Sequence, residues 1–143
     1  MLIFVLNKQT KNVLYNVKQI TTGTSNTFVC TLAEKQTLTA PYWLFRFVKD
    51  GTNQEATALI ADASDTSGYK VRFNRFTITE GTTVTLSTGI WTYYVYEQIS
   101  NSNTNYVNST TLCETGQVKV SSVVGDQIFS APDYSFQYSE STQ

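Results

Sequence analysis

Acidic side chains are the first place to look for chemistry in this chain. Asp62-x-x-Asp65, with Ser64, Thr66 and Ser67 beside it, collects hard oxygen donors of the kind a divalent cation takes. The run lacks the DxDxDG spacing and the bidentate acid of a calcium loop, so no ion is expected there. Glu97 and Glu114 fall on what read as neighbouring strands, where two facing carboxylates would form the pair used in glycoside hydrolysis. Nothing near them in sequence supplies a substrate cleft, and exposed sheet positions are the expectation. Arg46, Arg72 and Arg75 flank aromatic residues in a way that suits stacking on nucleobases. Three arginines in a chain of net charge −1 make a poor nucleic-acid footprint.

The 143 residues contain no histidine, the commonest general base and metal ligand, which removes Ser-His-Asp triads and most zinc sites. GxSxG, HExxH, P-loop and dinucleotide fingerprints are also missing. The expectation is a protein that is not an enzyme and takes neither cofactor nor metal. Cys30 and Cys113 are too few for a disulfide scaffold and too far apart for a CxxC pair, so they read as two buried thiols. Met1 to Leu6 is apolar but has no preceding basic residue and no cleavage site, so it does not read as a signal peptide. No apolar run reaches the roughly 18 residues of a membrane span, and no membrane partner is expected. Asn108-Ser109-Thr110 has the form of a glycosylation acceptor but reads as a polar loop tip.

Thr, Ser and Asn supply 23, 13 and 10 residues, all poor helix formers, and no stretch of ten residues carries a 3.6-residue apolar period. Short alternating or solidly apolar runs between turn clusters predict an all-β fold. Val13, Tyr15 and Val17 share one face of an early strand, and Phe28, Cys30 and Leu32 one face of the next. Tyr42–Val48 places Trp43, Phe45 and Phe47 on one side and should be covered on both faces. Asp50-Gly51 turns into a strand over 56–61. A further strand is expected from Val71 to Ile78, with a bulge or bend at Asn74-Arg75, then a short one over Thr83–Leu86. Ile90–Gln98 points Trp91, Tyr93 and Val95 inward and Thr92, Tyr94 and Tyr96 outward, and Leu112–Val120 closes the domain after the long polar loop of 100–111.

Six or seven short strands in roughly 95 residues are the density of an immunoglobulin-like β-sandwich, assigned here to residues 24–120. Residues 1–23 form an N-terminal arm or strand and 121–143 a C-terminal arm. Aromatic residues in those arms, Phe4, Phe129, Tyr134, Phe136 and Tyr138, together with Tyr94, Tyr96 and Tyr106 on the outer face and loop, are the candidate partner-binding residues. Two readings of the arms stand side by side: strands or aromatic anchors added to neighbouring subunits, or an extra strand folded back on the chain's own sandwich. The outer tyrosines have an alternative reading as cross-strand packing on a half-exposed sheet.

The blocks Asn26–Lys35 (NTFVCTLAEK), Leu38–Phe47 (LTAPYWLFRF), Asn74–Ile78 (NRFTI), Gly89–Gln98 (GIWTYYVYEQ) and Glu114–Val120 (ETGQVKV) resemble small structural proteins of tailed bacteriophages, particularly crAss-like phages. The resemblance covers about residues 24 to 120. It implies an immunoglobulin-like virion component such as an auxiliary protein on the major capsid shell, assembled in the bacterial host cytoplasm, with no catalytic residues to transfer. Its implied partners are the major capsid protein, other virion proteins or further copies of the chain. A neck or tail connector or ring subunit is a second placement. A carbohydrate- or host-surface-binding module is the competing class.

Overall fold

Every second side chain between Trp43 and Phe47 is aromatic, and this face is wholly buried, because a strand's period of two collects those rings on one side. The same rule shapes the rest of the computed structural model, which describes residues 17–123. Seven strands follow in order: β1 (Val17–Thr21), β2 (Ser25–Cys30), β3 (Tyr42–Lys49), β4 (Glu55–Ala61), β5 (Asn74–Thr79), β6 (Gly89–Gln98) and β7 (Thr111–Ser121). Two single 3-10 turns lie between the strands, at Asp62–Ser64 and Tyr106–Asn108, and Val123, the last described residue, is helical. The fold is all-β.

The strands form a five-stranded sheet, ordered β1-β7-β6-β3-β4, and a two-stranded sheet of β2 and β5. All pairings are antiparallel except β1 with β7, which run parallel. The core lies between the sheets and centres on Phe28 of the small sheet. Its ring meets Tyr93, Phe45 and Phe47 edge-on at centroid distances of 5.1, 5.7 and 6.3 Å. Phe76 of β5 meets Phe45 in the same way at 5.6 Å. Such T-shaped pairs add to the gain from burial alone. Trp43 and Trp91 are also buried, their indole N–H groups donating to Asp62 Oδ1 at 3.1 Å and to the Ser87 carbonyl at 2.9 Å. Gly116 on β7 lies under the Tyr93 ring, and a Cβ there would come within 2.8 Å of it.

The predicted alternation of β2, β3 and β6 matches the observed burial, and the Asp50-Gly51 turn joins β3 to β4 with Gly51 at φ +78°. Leu44, on the other face of β3, is buried as well, so the centre of that strand is covered on both sides. Val17–Thr21, inside the segment read as an arm or strand, is one of the two edge strands of the large sheet.

Other expectations are corrected. Residues 69–73 form a turn, with Arg72 and Phe73 N–H donating to the Tyr69 carbonyl, and Val71 is exposed. β5 begins only at Asn74 and then alternates without a break. The bulge lies in β7 instead, where Val95 pairs with Glu114 and Tyr96 with Leu112, leaving Cys113 as the extra residue. Thr83–Leu86 is no strand. It makes one bridge, Glu80 to Val84, and is held by burial of Val84 and Leu86 and by the Leu86 N–H on Glu80.

Because Phe28 touches three rings of the opposite sheet, Phe28→Ala should cost about 3–5 kcal/mol of unfolding free energy in urea denaturation. Tyr69→Ala, at an exposed turn position, should stay within about 0.5 kcal/mol.

Candidate functional site

The outer face of the large sheet gathers the three outer tyrosines. β3 and β6 are neighbours in a register that sets Arg46 opposite Tyr94 and Leu44 opposite Tyr96. The 99–110 loop then folds over this face. Its organiser is the buried Gln98, whose Nε2 donates to the Asn103 carbonyl at 2.7 Å, while its Oε1 accepts from Asn103 Nδ2 at 2.7 Å and Ser109 Oγ at 2.9 Å. The loop ends in the 3-10 turn at Tyr106, capped by the Asn105 side chain accepting from Val107 N–H. Tyr106 thereby reaches Tyr96 at 5.5 Å between centroids, and Tyr96 stacks on Tyr94 at 6.4 Å.

Arg46 locks this cluster. Its guanidinium lies 4.2 Å from the Tyr106 centroid and 5.2 Å from that of Tyr94, and it grips Glu55 through Nε at 3.2 Å and Nη2 at 2.8 Å. The fork fixes the plane of the guanidinium against the rings. Each partner favours the other's charge: the Glu55 hydrogen bond raises the Arg46 pKa and the Arg46 bond lowers that of Glu55. Arg46 is thus stacked on the chain's own tyrosines. Tyr106 remains 39% exposed, and Leu112, beside Tyr96 across the β6–β7 pairing, is 41% exposed. Val107 and Ile99 of the loop are more exposed still. The result is a pre-ordered aromatic and cationic surface with an apolar margin, suited to contact with another macromolecule. The spacing of the tyrosines was readable; the Arg46–Glu55 fork and the role of Gln98 depend on strand register and loop path.

Phe4, Phe129, Tyr134, Phe136 and Tyr138 lie outside the described residues.

The acidic candidates do something other than expected. Glu97 and Glu114 neither face each other nor lie exposed: Glu97 pairs in register with Thr111, and Glu114 with Val95. Glu97 is 0% exposed and accepts the Thr37 N–H on both oxygens at 3.0 Å, the Leu38 N–H at 3.2 Å and the Thr37 hydroxyl. Glu114 reaches across to the small sheet, accepting the Thr31 N–H at 2.6 Å, the Thr31 hydroxyl and the Tyr93 hydroxyl at 2.6 Å, with Lys18 Nζ at 3.9 Å. Asp62 and Asp65 do not converge either. Asp62 takes the Trp43 indole, whereas Asp65 accepts from Ser67 N–H, Arg75 N–H and Asn74 Nδ2. These carboxylates are structural clamps, each oriented by donors of the chain itself.

A cleft of about 640 Å³ opens where β7 and β1 extend beyond β2, with Lys18, Val29, Thr31, Tyr93, Glu114 and Gly116 in its walls. Its polar groups include the clamp residues Thr31, Tyr93 and Glu114, with Thr115 and Gln117 beside them. Lys18 Nζ sits 5.5 and 5.6 Å from the Phe28 and Tyr93 ring centroids, and burial together with the adjacent Glu114 pushes the Tyr93 pKa up. Among the described residues no group of three metal-ligating side chains is assembled, and no helix is long and apolar enough to cross a membrane. Cys30 and Cys113 are free and buried. Burial, reinforced by the charge of Glu114, raises the Cys30 pKa, and burial with the charge of Glu97 pushes Cys113 up to about 11.

Compared with known family models, curated proteins and solved structures, the chain matches none.

Two tests follow from the clamps and the thiols. Glu97→Ala strands two backbone N–H groups and a hydroxyl, and should lower stability by about 3 kcal/mol or more, with Glu97→Gln losing less, in equilibrium urea unfolding. Cys113 ionises near 9.0 when exposed but near 11 when folded. Stability is therefore full below pH 9 and declines as the pH rises toward 11, because the unfolded chain releases the proton first. Urea midpoints across that window should fall, and less steeply in Cys113→Ser; equal slopes would contradict this.

Proposed function

We propose that the chain is a non-enzymatic structural protein of a virion, an auxiliary protein that binds the major capsid shell through the outer face of its large sheet. The observation that carries the binding surface is the Arg46–Tyr94–Tyr96–Tyr106 cluster, ordered before any partner arrives. Side chains already held in place lose little freedom on docking, which favours association. The virion setting rests on the sequence blocks of residues 24–120 that resemble phage structural proteins.

The fold we assign to this role is an immunoglobulin-like sandwich. The strand order supports it: β7-β6-β3 stand as G, F and C, widened by β4 on one side and β1 on the other, over β2 and β5 as B and E. The position that carries the second cysteine of antibody domains falls here on β6, among Tyr93, Val95 and the buried Glu97, so inter-sheet contact comes from edge-to-face rings and carboxylate clamps in place of a disulfide.

The non-enzymatic reading has its support in the acids. Glu97, Glu114, Asp62 and Asp65 point at donors within the domain, which leaves none of them poised toward a substrate.

Purified virions of the phage that encodes the chain provide the test. Mass spectrometry should find the chain at a copy number set by shell symmetry. Leu112→Asp combined with Tyr106→Asp should abolish decoration of bare shells while leaving the unfolding free energy within about 1 kcal/mol of the parent. A copy number of a dozen or fewer would move the protein to the neck or tail. Glycan-array binding lost in the same double variant would favour the carbohydrate-binding class.

A further inference from the structure

We infer that residues 134–139 of the same chain add as a third strand to the open edge of β2, laying their aromatic face over the cleft beside it. This assignment stands independently of the capsid reading.

The receiving edge is defined by backbone alternation. In an antiparallel strand, alternate residues turn both N–H and C=O to the same side. The Thr24 carbonyl accepts from Glu80 N–H, so even-numbered residues of β2 face β5. The Thr31 N–H points the other way, to Glu114. Thr27 and Val29, in step with Thr31, therefore direct their backbone groups away from β5, and among the described residues β2 pairs with β5 alone. Both residues are exposed. An edge of this kind is a template for another strand.

The two layers are also mismatched in width on this side. The large sheet continues from β6 to β7 and β1, whereas the small sheet stops at β2, and the 640 Å³ cleft lies in the step between them. A strand beside β2 would fill that step.

The occupant follows from where the chain leaves the sandwich. The Ser121 carbonyl accepts from Thr22 N–H at 2.9 Å, which places the end of β7 next to the turn that opens β2. Twenty residues follow Val123, of which ten precede Tyr134. Val123 itself is helical, and the ten residues after it reach at most about 33 Å when fully extended, against the roughly 20 Å length of the β2 edge. Tyr134, Phe136 and Tyr138 alternate with Ser135, Gln137 and Ser139, the pattern of a strand with one aromatic and one polar face. Tethering gives the chain's own segment an effective concentration that a second copy must exceed. The added strand would cover an edge otherwise open to pairing between copies, and would leave the outer face as the surface for partners.

Amide hydrogen exchange on the full chain tests this. The Thr27 and Val29 amides should exchange at least 100-fold more slowly than unprotected amides, at a rate unchanged by tenfold dilution. Phe136→Asp should release both while Phe28, bonded toward β5, stays protected. Unprotected Thr27 and Val29 amides in the parent would overturn the proposal. So would protection that weakens on dilution, which marks a strand from a second copy, or protection that survives Phe136→Asp.

Discussion

The stretch from Thr31 to Pro41 carries the chain from the small sheet to the large one without a strand partner, and side-chain acceptors, Asn74 and Glu97 buried and Glu114 half-buried, hold it in place. Glu114 takes the Thr31 N–H, Asn74 Oδ1 takes the Leu32 N–H at 3.0 Å, and Glu97 takes the N–H groups of Thr37 and Leu38. Asn74 is itself oriented by Asp65, which also collects Ser67 and Arg75 N–H. Backbone donors left without partners in a low-dielectric interior would each cost on the order of 1–3 kcal/mol. A carboxylate can accept several such bonds at once, and charge-assisted bonds are the stronger kind. These bonds pin the backbone of the connection at Thr31–Leu32 and at Thr37–Leu38, with Leu32 fully buried while Thr31, Glu34, Lys35, Thr37 and Thr39 turn to the surface.

The same constraint divides the molecule into an inside and an outside with different chemistry. Inside, acids meet backbone N–H groups and hydroxyls, and the thiols and the Tyr93 phenol keep their protons through burial. Outside, one ion pair of good geometry, Arg46–Glu55, organises three tyrosines, and a single buried glutamine, Gln98, sets the path of the loop that brings the third of them in. The reactive-looking residues are thus the structural ones, and the surface available to a partner is aromatic and apolar.

Sequence reading went furthest where local pattern decides structure. Trp43, Phe45 and Phe47, then Trp91, Tyr93 and Val95, announce their inward faces by alternation, and the outer tyrosines follow from the same period. It failed where an inward slot holds a polar residue. Glu97 continues the buried face of β6, but a glutamate in a strand reads as exposed because its donors, Thr37 and Leu38, lie sixty and fifty-nine residues away. Asn74 does the same in β5, so a regular strand looked bulged, and the actual bulge at Cys113 leaves no mark in the local pattern. Polar residues that are buried for a partner are legible only once the partner's position is known.

The most direct measurement of the central claim is residue-resolved exchange of the Leu32, Thr37 and Leu38 amides. If inward acceptors hold the 31–41 connection, these amides exchange through global unfolding, as slowly as those of Phe45 and Val95 in the middle of β3 and β6. Exchange at the rate of an open loop would show that the clamps do not carry the connection and would contradict the account.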